Sequence, residues 1–260
     1  MKKYFKLFSL ALCAVFACLA FTGCSSPTTA PEPSTPITPE PTVTYIGSKT
    51  PTETKAVGDI VFTDGSASPY TEELTDEQKA AASAVIFYVG GENDTLGAKT
   101  LGVGLITERT DCMGLQWCLS DAVAYDSWDY AKNMDDGKAN TDEIAGLSDY
   151  GDGTKYPAFK FCRDYTAKGF TTGWYLPAYN ELKMLNASLT EVGNALNALD
   201  IENPYVENPY LYTYFSSTRQ YTANKYHNIA RGFCFTDKES LQYQSCKKDE
   251  YRYVCAIHTF

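Results

Sequence analysis

The spacing of apolar and polar positions divides the chain into recognisable elements. Asp59-Ile60-Val61-Phe62 predicts a strand, and Asp64-Gly65 predicts a turn after it. Thr75 followed by Gln78 has the form of a capping box, so a helix is expected over Thr75–Ser83. Ala84–Val89 is a continuous apolar run ended by Gly90-Gly91, the pattern of a buried strand. Leu101–Ile106 reads as another strand, in which Gly102 and Gly104 permit close approach. Helical spacing recurs at Leu119–Trp128, Thr141–Leu147 and Pro157–Phe170. It recurs again over Asn180–Leu199, where Leu182, Leu185, Leu189, Val192, Leu196 and Leu199 are apolar and Gly193 is the expected break. Trp174 and Leu176 alternate as a short buried segment before that helical stretch, with Pro177 fixing the corner. Three further strands are expected at Ile229–Thr236, Ser240–Ser245 and Tyr251–His258, the last with two-residue alternation.

The amino-terminal 42 residues follow other rules. Lys2, Lys3 and Lys6 precede an apolar run, Leu7–Phe21, that is too short and wrongly flanked to span a bilayer; residues 1–23 read as a signal peptide. The segment ends Thr22-Gly23-Cys24, which resembles the bacterial lipobox, so Cys24 is the expected lipidation site. Residues 24–42 hold six of the twelve prolines among Ser, Thr and Glu, the composition of an extended tether. This places the protein lipid-anchored in a bacterial cell envelope, at the outer membrane or cell surface. The globular part is then 43–260, read as an amino-terminal portion, 43–156, and a core, 157–260.

Loss of the signal peptide leaves 19 basic against 32 acidic residues. That balance excludes nucleic acid as a partner, because phosphate contacts need basic patches. Cys112, Cys118, Cys162, Cys234, Cys246 and Cys255 remain in the exported part; an even count there implies disulfides, and six cysteines allow about fifteen pairings. Asp135-Asp136-Gly137 lies in an acidic stretch but lacks the spacing of a calcium loop, so no metal and no cofactor are expected. Neither His227 nor His258 sits in a catalytic pattern, so no enzyme is expected. Arg219–Asn228 mixes Tyr and His with Asn, Thr and Gln, which combines rigid contact area with adaptable hydrogen bonding. Tyr212, Arg219, Tyr221, Asn224, Tyr226, His227, Asn228 and Tyr243 are therefore the candidate ligand-binding residues, for a glycan or a protein ligand.

Gly173-Trp174-Tyr175-Leu176-Pro177 followed by Glu181-Leu182 resembles the Gly-Trp-Arg-Leu-Pro signature of the bacterial Lcl C-terminal and major-paralogous domains. Tyr214-Phe215-Ser216-Ser217-Thr218 is similar to their Tyr-Trp-Ser-Ser-Thr, and Tyr253–His258 to their closing strand; Tyr175, Phe215 and His258 depart from the pattern. The resemblance implies an α+β, C-type-lectin-like fold: two helices packed beside a twisted antiparallel sheet, with long irregular loops. It implies bridges Cys162–Cys255 and Cys234–Cys246, leaving Cys112–Cys118 as a local one. It also implies an adhesin-like binding protein. A structural envelope lipoprotein is the alternative, and a formylglycine-generating oxidase, which shares the broad fold class and needs reactive cysteines, is the enzyme to test.

Overall fold

Strand β1 (Asp59–Phe62) is buried along its whole length: Ile60-Val61-Phe62 is apolar, and the buried Asp59 carboxylate pairs with the Lys49 ammonium at 2.6 Å. It pairs with β2 (Ala67–Pro69) on one side and β3 (Ala82–Val89) on the other. β3 pairs with β4 (Thr100–Glu108), and β4 with β10 (Val254–Thr259), giving an antiparallel sheet of order β10-β4-β3-β1-β2. The computed structural model describes residues 43–108, 114–205, 212–221 and 226–260. The segments expected to be a signal peptide and a tether, with Cys24, Cys112 and Asn224, lie outside the described residues.

Two-residue alternation sends the side chains of this sheet into two cores. Ile60, Phe62, Val85, Phe87, Val103 and Ile257 face one way, where helices α4 (Tyr179–Ala187) and α5 (Leu189–Ala198) contribute Leu182, Leu185, Val192 and Leu196. Val61, Ala84, Ile86, Val254 and Ala256 face the other way, toward Ala158, Phe159 and Cys162 of α3 (Pro157–Asp164). A Cβ at Gly104 would lie 2.6 Å from the Tyr165 ring, and one at Gly102 2.5 Å from that of Phe260. The glycines of β4 therefore exist to admit aromatic rings from the second core.

The remaining elements are smaller. α1 (Asp76–Ala81) starts at the Thr75–Gln78 capping box, both of whose bonds form. α2 (Gly137–Ala145) is capped by Asp136, whose carboxylate accepts from the Ala139 amide at 2.9 Å, so part of the acidic run serves as a helix cap. A three-stranded antiparallel sheet joins β6 (Thr213–Arg219), β7 (Ile229–Cys234) and β8 (Tyr243–Lys247), the last preceded by the short helix α6 (Glu239–Gln242). β5 (Leu115–Gln116) pairs with β9 (Tyr251–Arg252).

At the Gly173–Pro177 corner, Tyr175 exchanges backbone hydrogen bonds with Ile257 at 3.0 and 3.1 Å, and Gly173 takes φ +87°. Glu181 is fully buried there. Its Oε2 accepts from the Ala178 amide at 2.7 Å and the Gly137 amide at 3.0 Å, and its Oε1 accepts from the Tyr175 hydroxyl at 3.1 Å. Burial pushes its carboxyl up to about 7, against the two backbone donors.

Several expectations need correction. Leu119–Trp128 is a succession of turns rather than a helix, because the carbonyls of Ala124, Tyr125 and Ser127 bond the ammonium of Lys248. The long carboxyl-terminal helical pattern breaks at Ser188, whose hydroxyl donates to Phe87 O at 2.8 Å; Gly193 lies within α5. Ser240–Ser245 is divided between α6 and the start of β8.

No disulfide joins the described cysteines. Cys162 does meet the last strand, its thiol 3.4 Å from the Cys255 carbonyl oxygen. The Cys255 side chain, however, points into the opposite core, beside Tyr205. Strand parity thus defeats the implied Cys162–Cys255 bridge. The implied Cys234–Cys246 bridge fails on register: Cys246 faces Ala230. Cys234 lies four residues further along the strand, about 13 Å, well beyond the roughly 7 Å a disulfide spans. The partner proposed for Cys118 lies outside the described residues.

Candidate functional site

The site is built where the end of β6, the start of β7 and the loop before α2 meet. Arg219 closes β6, and its amide donates to Ala131 O at 2.8 Å, which holds the loop against the strand end. Ala131 takes φ +57° and its own amide donates to Glu143 Oε2 at 2.7 Å. The loop thereby presents Trp128. The Trp128 ring stacks on His227 at 4.1 Å and 22°, and meets Tyr221 at 5.2 Å and 56°. Trp128 and His227 are half-buried, whereas Tyr221 is 62% exposed. Three π systems thus form one surface, with Trp128 at its centre.

Polar groups surround it. Among the described residues, the buried Nε1 of Trp128 and the buried Nε and Nη1 of Arg219 have no hydrogen-bond partner. Asn228, next to His227, donates from Nδ2 to the Tyr125 hydroxyl at 3.0 Å, and that hydroxyl donates to Asp249 Oδ2 at 3.0 Å. Burial and the Asp249 carboxylate hold the Tyr125 hydroxyl up in its protonated form. Lys248 lies beneath, 1% exposed. Its ammonium donates to Ala124 O at 2.6 Å, Tyr125 O at 3.1 Å and Ser127 O at 3.4 Å, and sits 4.9 Å from the centre of the Trp117 ring. Burial lowers that ammonium to about 8.

Of the residues singled out from the sequence, Arg219, Tyr221, His227 and Asn228 come together around Trp128. Tyr226 is 65% exposed beside His227 in the chain. Tyr243 belongs to another group: it meets Tyr179 edge-on at 6.1 Å, and the Arg231 guanidinium lies against both rings, 5.2 and 5.4 Å from their centres. Tyr212 packs on Tyr253 at 5.5 Å, at the edge of the first core. Trp128 itself was missed. It stands in an acidic stretch between Tyr125 and Tyr130, and only that small aromatic group among polar neighbours could have marked it.

Among the described residues, no group of three or more His, Cys, Asp or Glu is placed to hold a metal ion. Burial pushes the Cys118 and Cys255 thiols up to about 12 and raises those of Cys162, Cys234 and Cys246 as well. Thiols so held are not nucleophiles near neutral pH. No helix among the described residues is long and apolar enough to cross a membrane.

No protein-family model matches the chain, and no curated protein matches it. Its structure is similar to the crystal structure of a fimbrial protein from Bacteroides ovatus ATCC 8483, with a TM-score of 0.53 and 17% sequence identity. The match covers 79% of this chain and 49% of that protein, so the chain spans about half of its neighbour's length. At this identity the likeness is one of fold, an α+β arrangement of antiparallel sheets with few helices.

Proposed function

We propose that this chain is an adhesin-like binding module of the bacterial cell surface, a C-type-lectin-like variant that seats a sugar on the Trp128–Tyr221–His227 face. It is held to the membrane through a lipidated Cys24 and the proline-rich tether. The observation that carries this reading is the cluster of Trp128, His227 and the exposed Tyr221. The C–H face of a pyranose ring packs against an aromatic ring, here Tyr221 beside Trp128, and polar side chains around the cluster supply the directional contacts that fix its orientation. The fold likeness to a fimbrial protein supports a surface role. The buried thiols weigh against a cysteine-dependent oxidase.

A glycan-array screen of the purified protein, followed by calorimetry on each hit, tests the reading. Trp128→Ala and Tyr221→Ala should each weaken binding by about thirtyfold, as loss of a central aromatic anchor does, while the thermal transition is retained. Binding that survives both substitutions would move the site elsewhere. The likeness to a fimbrial protein also favours a second reading, a structural envelope subunit without a ligand. A wild-type protein that binds no glycan would favour that one.

A further inference from the structure

We infer that Lys248 is the positioning residue of this aromatic face, a cation built into the chain that presets the geometry of Trp128 against His227. The inference deepens the sugar-binding reading and rests on it for its functional consequence.

A buried ammonium costs several kcal/mol unless its donors are satisfied. Here they are satisfied by backbone carbonyls of one short segment: Ala124, Tyr125 and Ser127, with the face of Trp117 beside them. Those three carbonyls turn inward to one point, which the interior of a helix or a paired strand does not allow. The residue that follows them in the chain is Trp128. The same Lys248 also acts through its backbone, since its amide donates to Asn228 O at 2.8 Å, next to His227. One residue therefore holds both halves of the stacked pair, the side chain gripping the tryptophan loop and the main chain gripping the segment that carries the histidine. Its neighbour Asp249 closes the bracket through Tyr125 and Asn228. An apolar side chain of the same length would fill the space at lower desolvation cost but could not gather the carbonyls. With the ammonium already at the point where these carbonyls converge, the face is organised before the ligand arrives, and binding should withstand a chelator.

The chain's two histidines make a direct test. His258 packs on Trp174 and Phe170, at 5.1 and 5.5 Å, and serves as an internal control. Proton NMR of histidine-labelled protein would compare wild type, Lys248→Met and Lys248→Arg. In Lys248→Met the His227 ring resonances should lose the ring-current displacement given by Trp128 while those of His258 stay in place. Affinity for the best array glycan should fall about tenfold or more. Lys248→Arg keeps the charge but cannot aim its donors at one point, and should shift His227 partway. If His227 resonates as in wild type in both variants, the inference is overturned whatever the ligand. If Lys248→Met moves both histidines, the variant has unfolded and Lys248→Arg decides by the same criterion. If the wild type binds no glycan, the sugar-binding reading fails while the comparison of His227 signals still decides the role of Lys248.

Discussion

Glu181 shows what one residue can impose on this molecule. Its ordinary carboxyl value is 4.5 and burial raises it to about 7 in the folded chain. A raised carboxyl favours its protonated form on folding. The stability it contributes is therefore complete below about pH 4.5 and is lost as pH rises through 7, a swing of about 3 kcal/mol. Urea denaturation of the wild type across this window should show that slope, and Glu181→Gln, which can still accept from Ala178 and Gly137, should abolish it. A slope persisting in the variant would assign the titration to another group. In the sequence Glu181 is marked only as part of the Gly173–Pro177 and Glu181-Leu182 resemblance, and its burial is not legible there. The candidate site was half legible. A run rich in Tyr, His and Asn marks Arg219, Tyr221, His227 and Asn228, but Trp128 lies 99 residues before His227 and Lys248 lies 21 residues after it, beyond β7 and α6. No local spacing reports that one stacks on His227 and the other holds it there.

Among the elements, periodicity found what it could. The capping box placed α1, short apolar runs placed β1 and β3, alternation placed β10, and the apolar spacing found α4 and α5 together. It misplaced their boundary, because Ser188 leaves the helix to bond a carbonyl of β3, a tertiary contact invisible in local spacing. Strand parity likewise decides that Cys162 and Cys255 approach without joining. The junction of α2 with the Gly173–Pro177 corner gives a sharp test. A Cβ at Gly137 would lie 2.3 Å from Leu176 O and 2.5 Å from the Ala178 nitrogen, both backbone atoms that cannot swing aside. Gly137→Ala should therefore destabilise the protein by about 2–3 kcal/mol, seen as a lowered thermal midpoint, by forcing the helix off the corner. An unchanged midpoint would mean that α2 docks loosely.

For the whole molecule, the division at residue 156 does not describe a separable core. β10 finds its partner in β4, and the Tyr165 ring fills the space left by Gly104. A fragment of residues 157–260 should accordingly fail to fold, giving a disordered amide spectrum; a dispersed spectrum would show that the later elements stand alone. The fold class was within reach of the sequence, since mixed short strands and helices are what its periodicities predict. The order of strands was not, because pairing between distant segments leaves no trace in the periodicity of either one.

The pairing of β4 with β10 also has a meaning in time. Glu108 faces Val254, so 146 residues separate the partners. A ribosome adding about 5–20 residues per second takes many seconds to supply them. Throughout that interval β4 offers an unfinished edge to any other strand nearby. Gly102 and Gly104, needed later to admit the rings of Phe260 and Tyr165, meanwhile make that edge a poor template, since glycine weakens strand pairing. The residues that give the finished sheet its fit thus also protect the half-made chain from its neighbours.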